Sequence, residues 1–283
     1  MAPSTPTPVP IIDSHIHLYP ESEIDTLAWY KSDSPLGGQH SVAEFRAAAE
    51  PASSSDAPSP LAGFIFVETD RKNDSGRDWT APLAEISWIS RIATGRPRAG
   101  EGHTAADAAL CLGVVPWAPL PLGPAQLEKY LEQAEEAAGE ETWSLIKGFR
   151  YLLQDKEAGT GLGDEFVAGL KMLGKKGFVF EVGVDQHRRG RTQLDECVEM
   201  IDRAHDGVPE EEKVVFIISK LSPPLLLVSF PSHMVGRGSG ARSANPHQTT
   251  SASPTSASSA QQTRLSWPGA PPCSPSPSAA RPT

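Results

Sequence analysis

Apolar segments of strand length recur along the first 220 residues, and polar or amphipathic stretches separate them. The segments are rich in Val, Ile and Phe, and several are nearly continuously apolar, which is typical of strands buried in a parallel sheet. The pattern therefore predicts six strands. Their sequences are IIDSHI (11–16), LAGFIFVE (61–68), AALCLGVVPW (108–117), LIKGFRYLL (145–153), GFVFEVGV (177–184) and KVVFIIS (213–219).

Helix-like segments lie between the predicted strands. The segment at 81–93, APLAEISWISRIA, repeats apolar residues at a spacing of three. The segment at 123–139, GPAQLEKYLEQAEEAAG, has Pro124 near its first turn and ends at Gly139, as helices commonly do. The segment at 194–207, LDECVEMIDRAHDG, places its apolar residues on one face. This alternation predicts an α/β protein built from βα units.

The number and order of these units favour a barrel. Two further units would complete a TIM-type (β/α)8 barrel, whereas the alternative is an open, doubly wound sheet. An open sheet usually carries a glycine-rich phosphate loop after its first strand, but here the first strand runs into HIHLYP without a GxGxxG motif. We therefore predict an incomplete (β/α)8 barrel of about six βα units.

Composition changes abruptly at residue 220. Every acidic residue and every lysine lies at or before that position, and Ser and Pro supply 25 of the 63 residues from 221 to 283. Such a segment cannot bury enough apolar surface to offset the entropy cost of ordering it. The composition predicts a flexible N-terminus at 1–10, the incomplete barrel at 11–220 and a low-complexity, mostly disordered tail at 221–283.

Charge and cysteine content narrow the possible partners and compartment. The formal net charge of −10 argues against a nucleic-acid surface, which needs clustered Lys and Arg. Apolar stretches fall short of the roughly 18 residues that span a bilayer, and MAPSTPTPVP does not resemble a secretory signal. Three cysteines without a CxxC spacing favour a reducing compartment. We expect a cytoplasmic protein that binds a small molecule, with neither nucleic acid nor membrane as a partner.

Two histidines at the end of the first predicted strand carry the candidate chemistry. His15 and His17 are two residues apart, so their side chains share one face of the strand. Catalytic groups gather at this end of barrel strands, and imidazole is a favoured ligand of zinc and similar divalent ions. A bound ion would lower the pKa of its water and polarise a carbonyl group. The alternative is that the two histidines are simply solvated or hydrogen-bonded.

The motifs, in their order along the chain, resemble those of the amidohydrolase-related superfamily, and most of all its lactonase-like branch of sugar-lactone hydrolases. The resemblance covers about residues 9 to 218 and rests on IIDSHIHLYP, GFIFVETD, LGVVPWAPL, IKGFRYLLQD and FVFEVGVDQHRRGRTQLDECVEMIDRAH. It implies a metal-dependent (β/α)8 hydrolase that opens a lactone or similar cyclic ester, with His15 and His17 as metal ligands. Zinc is the implied cofactor, although the branch includes members without a tightly held metal. A decarboxylase of the same superfamily is an alternative.

Further site residues follow from strand ends and from the resemblance. Glu68 ends the second predicted strand and is our candidate catalytic group, although it could also begin a solvated loop together with Asp70. Arg150 is an arginine inside an apolar segment, where it would either hold substrate or form an ion pair. Trp117 would form an apolar wall for the substrate or pack in the core. His187, after the fifth strand, is a third candidate metal ligand, but the arginines that follow it disfavour a nearby dication.

The sequence also departs from the family pattern. Ser219 and Lys220 stand where the family usually ends its sixth strand with a histidine, and no acid after Glu212 can supply the usual last-strand aspartate. Without that general base, catalysis would lose roughly 10²- to 10⁴-fold. The sequence therefore leaves open whether the chain is an active hydrolase or an inactive, truncated remnant or binding protein with a mis-spliced or frame-shifted end.

Overall fold

The computed structural model describes residues 9–49, 61–185 and 190–219. All of these residues belong to one compact unit. Within these ranges six short strands alternate with five α-helices, as the sequence predicts for an α/β protein. The strands are β1 (Ile11–Ile16), β2 (Leu61–Val67), β3 (Cys111–Val115), β4 (Gly148–Arg150), β5 (Val179–Val182) and β6 (Phe216–Ile218). The helices are α1 (Val42–Ala49), α2 (Thr80–Ala93), α3 (Gly123–Trp143), α4 (Asp164–Lys175) and α5 (Arg191–His205).

All six strands are parallel and lie in chain order. Strands β1, β2 and β3 form one hydrogen-bonded ladder, and β4, β5 and β6 form another. Parallel bridges from Val114 to Ile146 and from Trp117 to Arg150 join β3 to β4, so the two ladders make one continuous layer. The carboxyl ends of all six strands therefore share one edge of this layer.

The layer is strongly curved. Neighbouring strands lie about 4.8 Å apart, so β1 and β5 would be roughly 19 Å apart in a flat sheet. Instead, Nδ1 of His15 on β1 lies 2.8 Å from Oε1 of Glu181 on β5. The two side chains can meet only because the sheet bends around the edge that carries them. Curvature of this kind is that of a barrel wall.

The three helices predicted from the sequence are present, and two others were not predicted. Helix α3 changes direction at Gly139, whose φ of 69° and ψ of 163° interrupt the helix at the predicted stop. Helices α1 and α4 have no counterpart among the predictions. Helix α4 nevertheless carries a readable signal, because Phe166, Val167, Leu170 and Leu173 follow helical spacing and are all buried.

The main hydrophobic core lies between the strands and the helices that cover them. Phe64, Phe66, Phe149 and Phe180 are completely buried strand residues at its centre. The first and last described strands are less protected, and they leave apolar side chains exposed to solvent. On β1 these are Ile11 and Ile12, and on β6 they are Ile217 and Ile218.

A buried ionic cluster fastens the loops around the carboxyl edge of the sheet. The Nε of Arg71, just after β2, donates to Oε1 of Glu85 on α2 over 3.1 Å, and both residues are 1% exposed. Nη1 of Arg71 also lies 3.1 Å from Oε2 of Glu23, which belongs to the loop after β1. The cluster therefore ties the first two loops of the edge to helix α2.

Several predictions fall outside the described residues. The proposed tail at 221–283 and most of the proposed flexible N-terminus lie there, as do His187 and Lys220. The domain boundaries therefore stay predictions. No helix within 9–49, 61–185 or 190–219 is both long enough and apolar enough to cross a membrane.

Candidate functional site

Five polar side chains from four strands meet at the carboxyl edge of the sheet. His15 lies in β1 and His17 just beyond its end, while Glu68 directly follows β2. Arg150 is the last residue of β4, and Glu181 lies within β5. Direct contacts connect these side chains, so the structure brings together His15, His17, Glu68 and Arg150, which the sequence singles out separately, and adds Glu181.

The two imidazoles converge through their Nε2 atoms. These atoms are 3.1 Å apart, and the two rings are perpendicular with centroids separated by 4.8 Å. On the far side of each ring, Nδ1 meets an oxygen atom. Nδ1 of His17 is 3.1 Å from the carbonyl oxygen of Val67, and Nδ1 of His15 is 2.8 Å from Oε1 of Glu181.

The contact with Val67 determines which nitrogen of His17 carries the proton. A carbonyl oxygen can only accept, so Nδ1 of His17 is protonated and donates to it. Desolvation, followed by the positive charges of Arg150 and His15, lowers the pKa of His17 to about 3. His17 keeps an exposed face at the mouth of the curved sheet, and water there weakens the shift without reversing its direction. The ring is therefore neutral at pH 7, and its Nε2 lone pair points at His15.

This arrangement fits two ligands of one cation. Two nitrogens that each lie 2.0–2.1 Å from a tetrahedral zinc ion are roughly 3.3 Å apart, close to the observed 3.1 Å. His15 and His17 would thus supply two donors. A catalytic zinc site usually has three protein ligands, and no group of three His, Cys, Asp or Glu side chains suited to a metal occurs in the described part of the chain.

Glu68 and Arg150 form a buried ion pair beside the histidines. Oε1 of Glu68 accepts from Nη1 of Arg150 over 2.9 Å, while Oε2 accepts from the backbone N–H of Asp70. Burial raises the pKa of Glu68 to about 7, although the positive charge of Arg150 opposes the shift. Glu68 can therefore both take up and release a proton near neutral pH, as a general acid or base must.

One hydrogen-bond donor and one hydrogen-bond acceptor at the site lack an aligned partner among the described residues. Nε of Arg150 and Oε1 of Glu181 are buried and have no aligned hydrogen-bond partner among the residues that the structure describes. These two atoms are 3.9 Å apart. The contact between Glu181 and Nδ1 of His15 is short enough for a hydrogen bond but is not aligned as one. Unfilled hydrogen-bonding capacity in a buried site is costly, so these atoms are expected to be filled in the working protein.

Asp70 shapes the loop that follows Glu68. Its φ of 55° lies in the left-handed region, which is uncommon for residues other than glycine. Burial raises the pKa of its carboxyl group, while Lys156 and Arg150 act in the opposite direction. The backbone carbonyl of Asp70 accepts from Ala28 over 2.8 Å. The turn holds the N–H of Asp70 against the Glu68 carboxylate, and this N–H is the contribution of Asp70 to the site.

The other predicted residues are placed less directly. Trp117 is 3% exposed and packs edge-to-face against Tyr130, with ring centroids 5.4 Å apart, as the core-packing alternative expects. Ser219, which stands at the position of the usual sixth-strand histidine, donates its hydroxyl to the carbonyl of Val182 over 3.1 Å. The sequence analysis missed Glu181. A signal was present, since Glu181 is the single acid in the apolar segment GFVFEVGV.

Comparison with known proteins identifies the family. The chain is 32% identical over 220 residues to L-rhamnono-gamma-lactonase of Scheffersomyces stipitis (strain ATCC 58785), and the alignment covers 76% of this chain and 61% of that protein. The predicted family, the amidohydrolase-related superfamily in its lactonase-like branch, is therefore confirmed. The chain spans about three fifths of the length of this curated relative. No family model matches the chain.

Solved structures are similar only in part. Amidohydrolase 2 from Bifidobacterium longum subsp. infantis is 17% identical with a TM-score of 0.44, and the match covers 77% of this chain and 64% of that one. An amidohydrolase from Burkholderia multivorans with bound zinc is 22% identical with a TM-score of 0.43, and the match covers 69% of this chain and 55% of that one.

Proposed function

We propose that the chain works as a metal-dependent hydrolase that opens a lactone or a similar cyclic ester. The family relationship supports this proposal, because the curated relative is a lactonase. The curvature of the six-stranded layer supports the accompanying proposal that the fold is part of a (β/α)8 barrel. The substrate would be a small molecule that enters the mouth formed by the carboxyl ends of the strands.

The observation that carries the proposal is the approach of two Nε2 atoms to 3.1 Å. His17 presents a lone pair there, because its other nitrogen donates to Val67. Glu181 faces the corresponding nitrogen of His15 and favours the same orientation. Two facing lone pairs repel each other unless a proton or a metal cation lies between them. A divalent cation, with zinc as the expected metal, meets this requirement and makes the pair functional.

The residues around the pair suit ester hydrolysis. A bound divalent ion would polarise the ester carbonyl and promote ionisation of a coordinated water. Glu68 has a pKa of about 7 and would accept a proton from the attacking water and return it to the leaving alkoxide. Arg150 retains a buried Nε–H that would orient a carbonyl or carboxylate oxygen of the substrate.

The test combines metal binding with turnover. Purified protein is stripped of metal, titrated with zinc and assayed for hydrolysis of a panel of sugar lactones. Replacing His15 or His17 with Ala should abolish both zinc binding and turnover. His40→Ala is the matched control, because the described contacts of its ring, with the carbonyl of Gly38 and with Tyr19, involve none of the site residues. Turnover that survives loss of both histidines would overturn the proposed mechanism.

A non-catalytic binding protein on the same scaffold is the second candidate. The observation that favours it is the lack of a third metal donor near the histidine pair in the residues that the structure describes. The same experiment separates the two functions. Stoichiometric zinc with lactone turnover supports the hydrolase, whereas a folded protein that binds a lactone without opening it supports the binding protein.

A further inference from the structure

Glu181 is buried beside the candidate metal pair, and the proposed hydrolysis gives its carboxylate no step of its own. Its side chain is 3% exposed, and Oε1 lies 2.8 Å from Nδ1 of His15. Among the residues that the structure describes, the arginine nearest to that oxygen is Arg150, whose Nε lies 3.9 Å away, beyond hydrogen-bonding distance. Oε1 has no aligned hydrogen bond within the described ranges, so the Nδ1–H of His15 is the donor best placed to satisfy it.

The two histidines have oxygen atoms beside corresponding ring nitrogens. Each ring has Nε2 next to the other ring. Nδ1 of His17 donates to a backbone carbonyl, whereas Nδ1 of His15 lies 2.8 Å from a carboxylate without an aligned hydrogen bond. Metal-binding histidines commonly donate their second ring N–H to a carboxylate or a backbone carbonyl, and this contact fixes both tautomer and ring orientation. The oxygen beside His17 belongs to β2, whereas the one beside His15 belongs to β5.

We propose that Glu181 is a positioning residue that keeps the proton of His15 on Nδ1 and so leaves Nε2 free to bind a metal with His17. This inference rests on the proposed function, because it concerns the same metal pair. Without Glu181, Nδ1 of His15 would lose its nearby acceptor, and His15 would donate from Nε2 to the lone pair of His17 instead. That tautomer blocks the metal position.

Two substitutions separate orientation from charge. Glu181→Met keeps the side-chain volume but removes the acceptor, and zinc affinity should fall by about 10- to 100-fold, as it does when outer partners of ligating histidines are removed. Glu181→Gln keeps an acceptor oxygen without the charge, and its loss should be clearly smaller. Asp107→Asn is the control, because it alters a buried acid that pairs with Arg46 and contacts neither histidine. Its zinc affinity should match the wild type.

The second readout is the protonation of His15 in ¹⁵N-labelled, metal-free protein. Long-range ¹H–¹⁵N correlation spectra should show a proton on Nδ1 of His15 in the wild type and Glu181→Gln. In Glu181→Met the neutral ring should instead carry its proton on Nε2. If Glu181→Met does not fold, loss of the Nδ1 proton in Glu181→Gln would by itself contradict the proposal.

The outcomes separate this inference from the proposed function. If the wild type binds zinc and Glu181→Met binds it equally well, the positioning role is wrong while the metal site stands. If zinc affinity falls but Nδ1 stays protonated, Glu181 acts only through its charge, and the positioning role is again wrong. If the wild type binds no zinc, the proposed function fails, and the spectra still decide whether Glu181 sets the tautomer.

Discussion

Removal of Arg150 tests the electrostatics of the site most directly. In Arg150→Met, the buried carboxylate of Glu68 loses the guanidinium N–H that donates to it over 2.9 Å, while an apolar side chain of similar length fills the space. Breaking a buried ion pair by removing one partner generally costs about 3–5 kcal/mol. Here the cost should be smaller at neutral pH, because Glu68 can escape the unpaired charge by taking up a proton.

The pKa of Glu68 determines how much free energy is needed to protonate the unpaired carboxylate. In the wild type the pKa of Glu68 is raised from 4.5 to about 7. Between these two values the folded state binds more protons than the unfolded state, so the free energy of unfolding decreases as the pH rises from 4.5 to 7. Above pH 7, protonating Glu68 costs about 1.4 kcal/mol per pH unit. The penalty of Arg150→Met is therefore limited to about 1.4 kcal/mol at pH 8 and about 2.7 kcal/mol at pH 9, and this contribution vanishes below pH 6.

The assay is urea unfolding of wild type and variant at intervals from pH 6 to pH 9. His17 affects only the lower end of this range, because its folded-state pKa is lowered and its ring is neutral in both folded and unfolded states above about pH 7. In a Glu68→Gln background the pH-dependent part should disappear. Lys176→Met is the surface control, since Lys176 and Glu128 are also 2.9 Å apart but remain exposed, and it should cost less than about 1 kcal/mol at every pH.

A flat difference between wild type and Arg150→Met from pH 6 to pH 9 would refute this reasoning. So would an equal pH dependence in the Glu68→Gln background, since the titrating group would then be another residue. A constant penalty of 3–5 kcal/mol would mean that Glu68 stays ionised when it is unpaired.

Three further substitutions probe the scaffold around the site. Arg71→Met should destabilise the protein by about 3–5 kcal/mol in urea unfolding, because it leaves Glu85 buried without its cation. Gly148→Ala should cost about 1–3 kcal/mol in the same assay, because the added Cβ would lie 2.3 Å from the carbonyl oxygen of Val179 across the β4–β5 pair. Tyr130→Phe should leave the thermal midpoint unchanged or raise it, because its hydroxyl is buried without a hydrogen-bond partner in the described residues.

Matched controls sharpen these expectations. Arg96→Met removes an exposed pair with Glu141 and should change stability by less than about 1 kcal/mol, so an equal effect of Arg71→Met would contradict the importance of burial. Gly38→Ala adds a Cβ with nothing within 4 Å, and a loss as large as that of Gly148→Ala would rule out the steric explanation. A drop in midpoint for Tyr130→Phe would show that the hydroxyl has a partner.

Much of this architecture could be predicted from the sequence, because parallel strands buried on both faces are nearly continuous apolar segments. The ends of these segments also indicated the site. The carboxyl ends of parallel strands share one edge, so His15, His17 and Glu68 were expected there from their positions, whereas Arg150 was singled out as an arginine inside an apolar segment. Helices α1 and α4 were not predicted, although α4 follows helical spacing. In α1 the apolar signal is weak, since Val42 is its only fully buried residue among those that the structure describes.

The contacts that give the site its chemistry could not be predicted. Residues 15 and 181 are far apart in sequence and on strands that are not neighbours, so their contact depends on how sharply the sheet bends. Local sequence does not specify that curvature. The pairing of Arg150 with Glu68 has the same origin, because it joins β4 to the end of β2 across β3. Sequence therefore indicated which residues face the mouth but not which of them touch.

The charges in contact at the mouth give a second reason to expect a cation between the histidines. Glu68 and Glu181 supply two buried carboxylates, and Arg150 lies 2.9 Å from the first and 3.9 Å from the second. One guanidinium cannot neutralise both when both are ionised, and His17 is neutral at pH 7. A cation bound at Nε2 of His15, which is the side chain in contact with Glu181, would supply the remaining positive charge. This nitrogen has a single lone pair, so it can hold either a proton or a metal ion. Proton and metal should therefore compete for the same position, so that zinc uptake by the wild type releases protons. Titration calorimetry checks this, because the heat of zinc binding then depends on the ionisation enthalpy of the buffer.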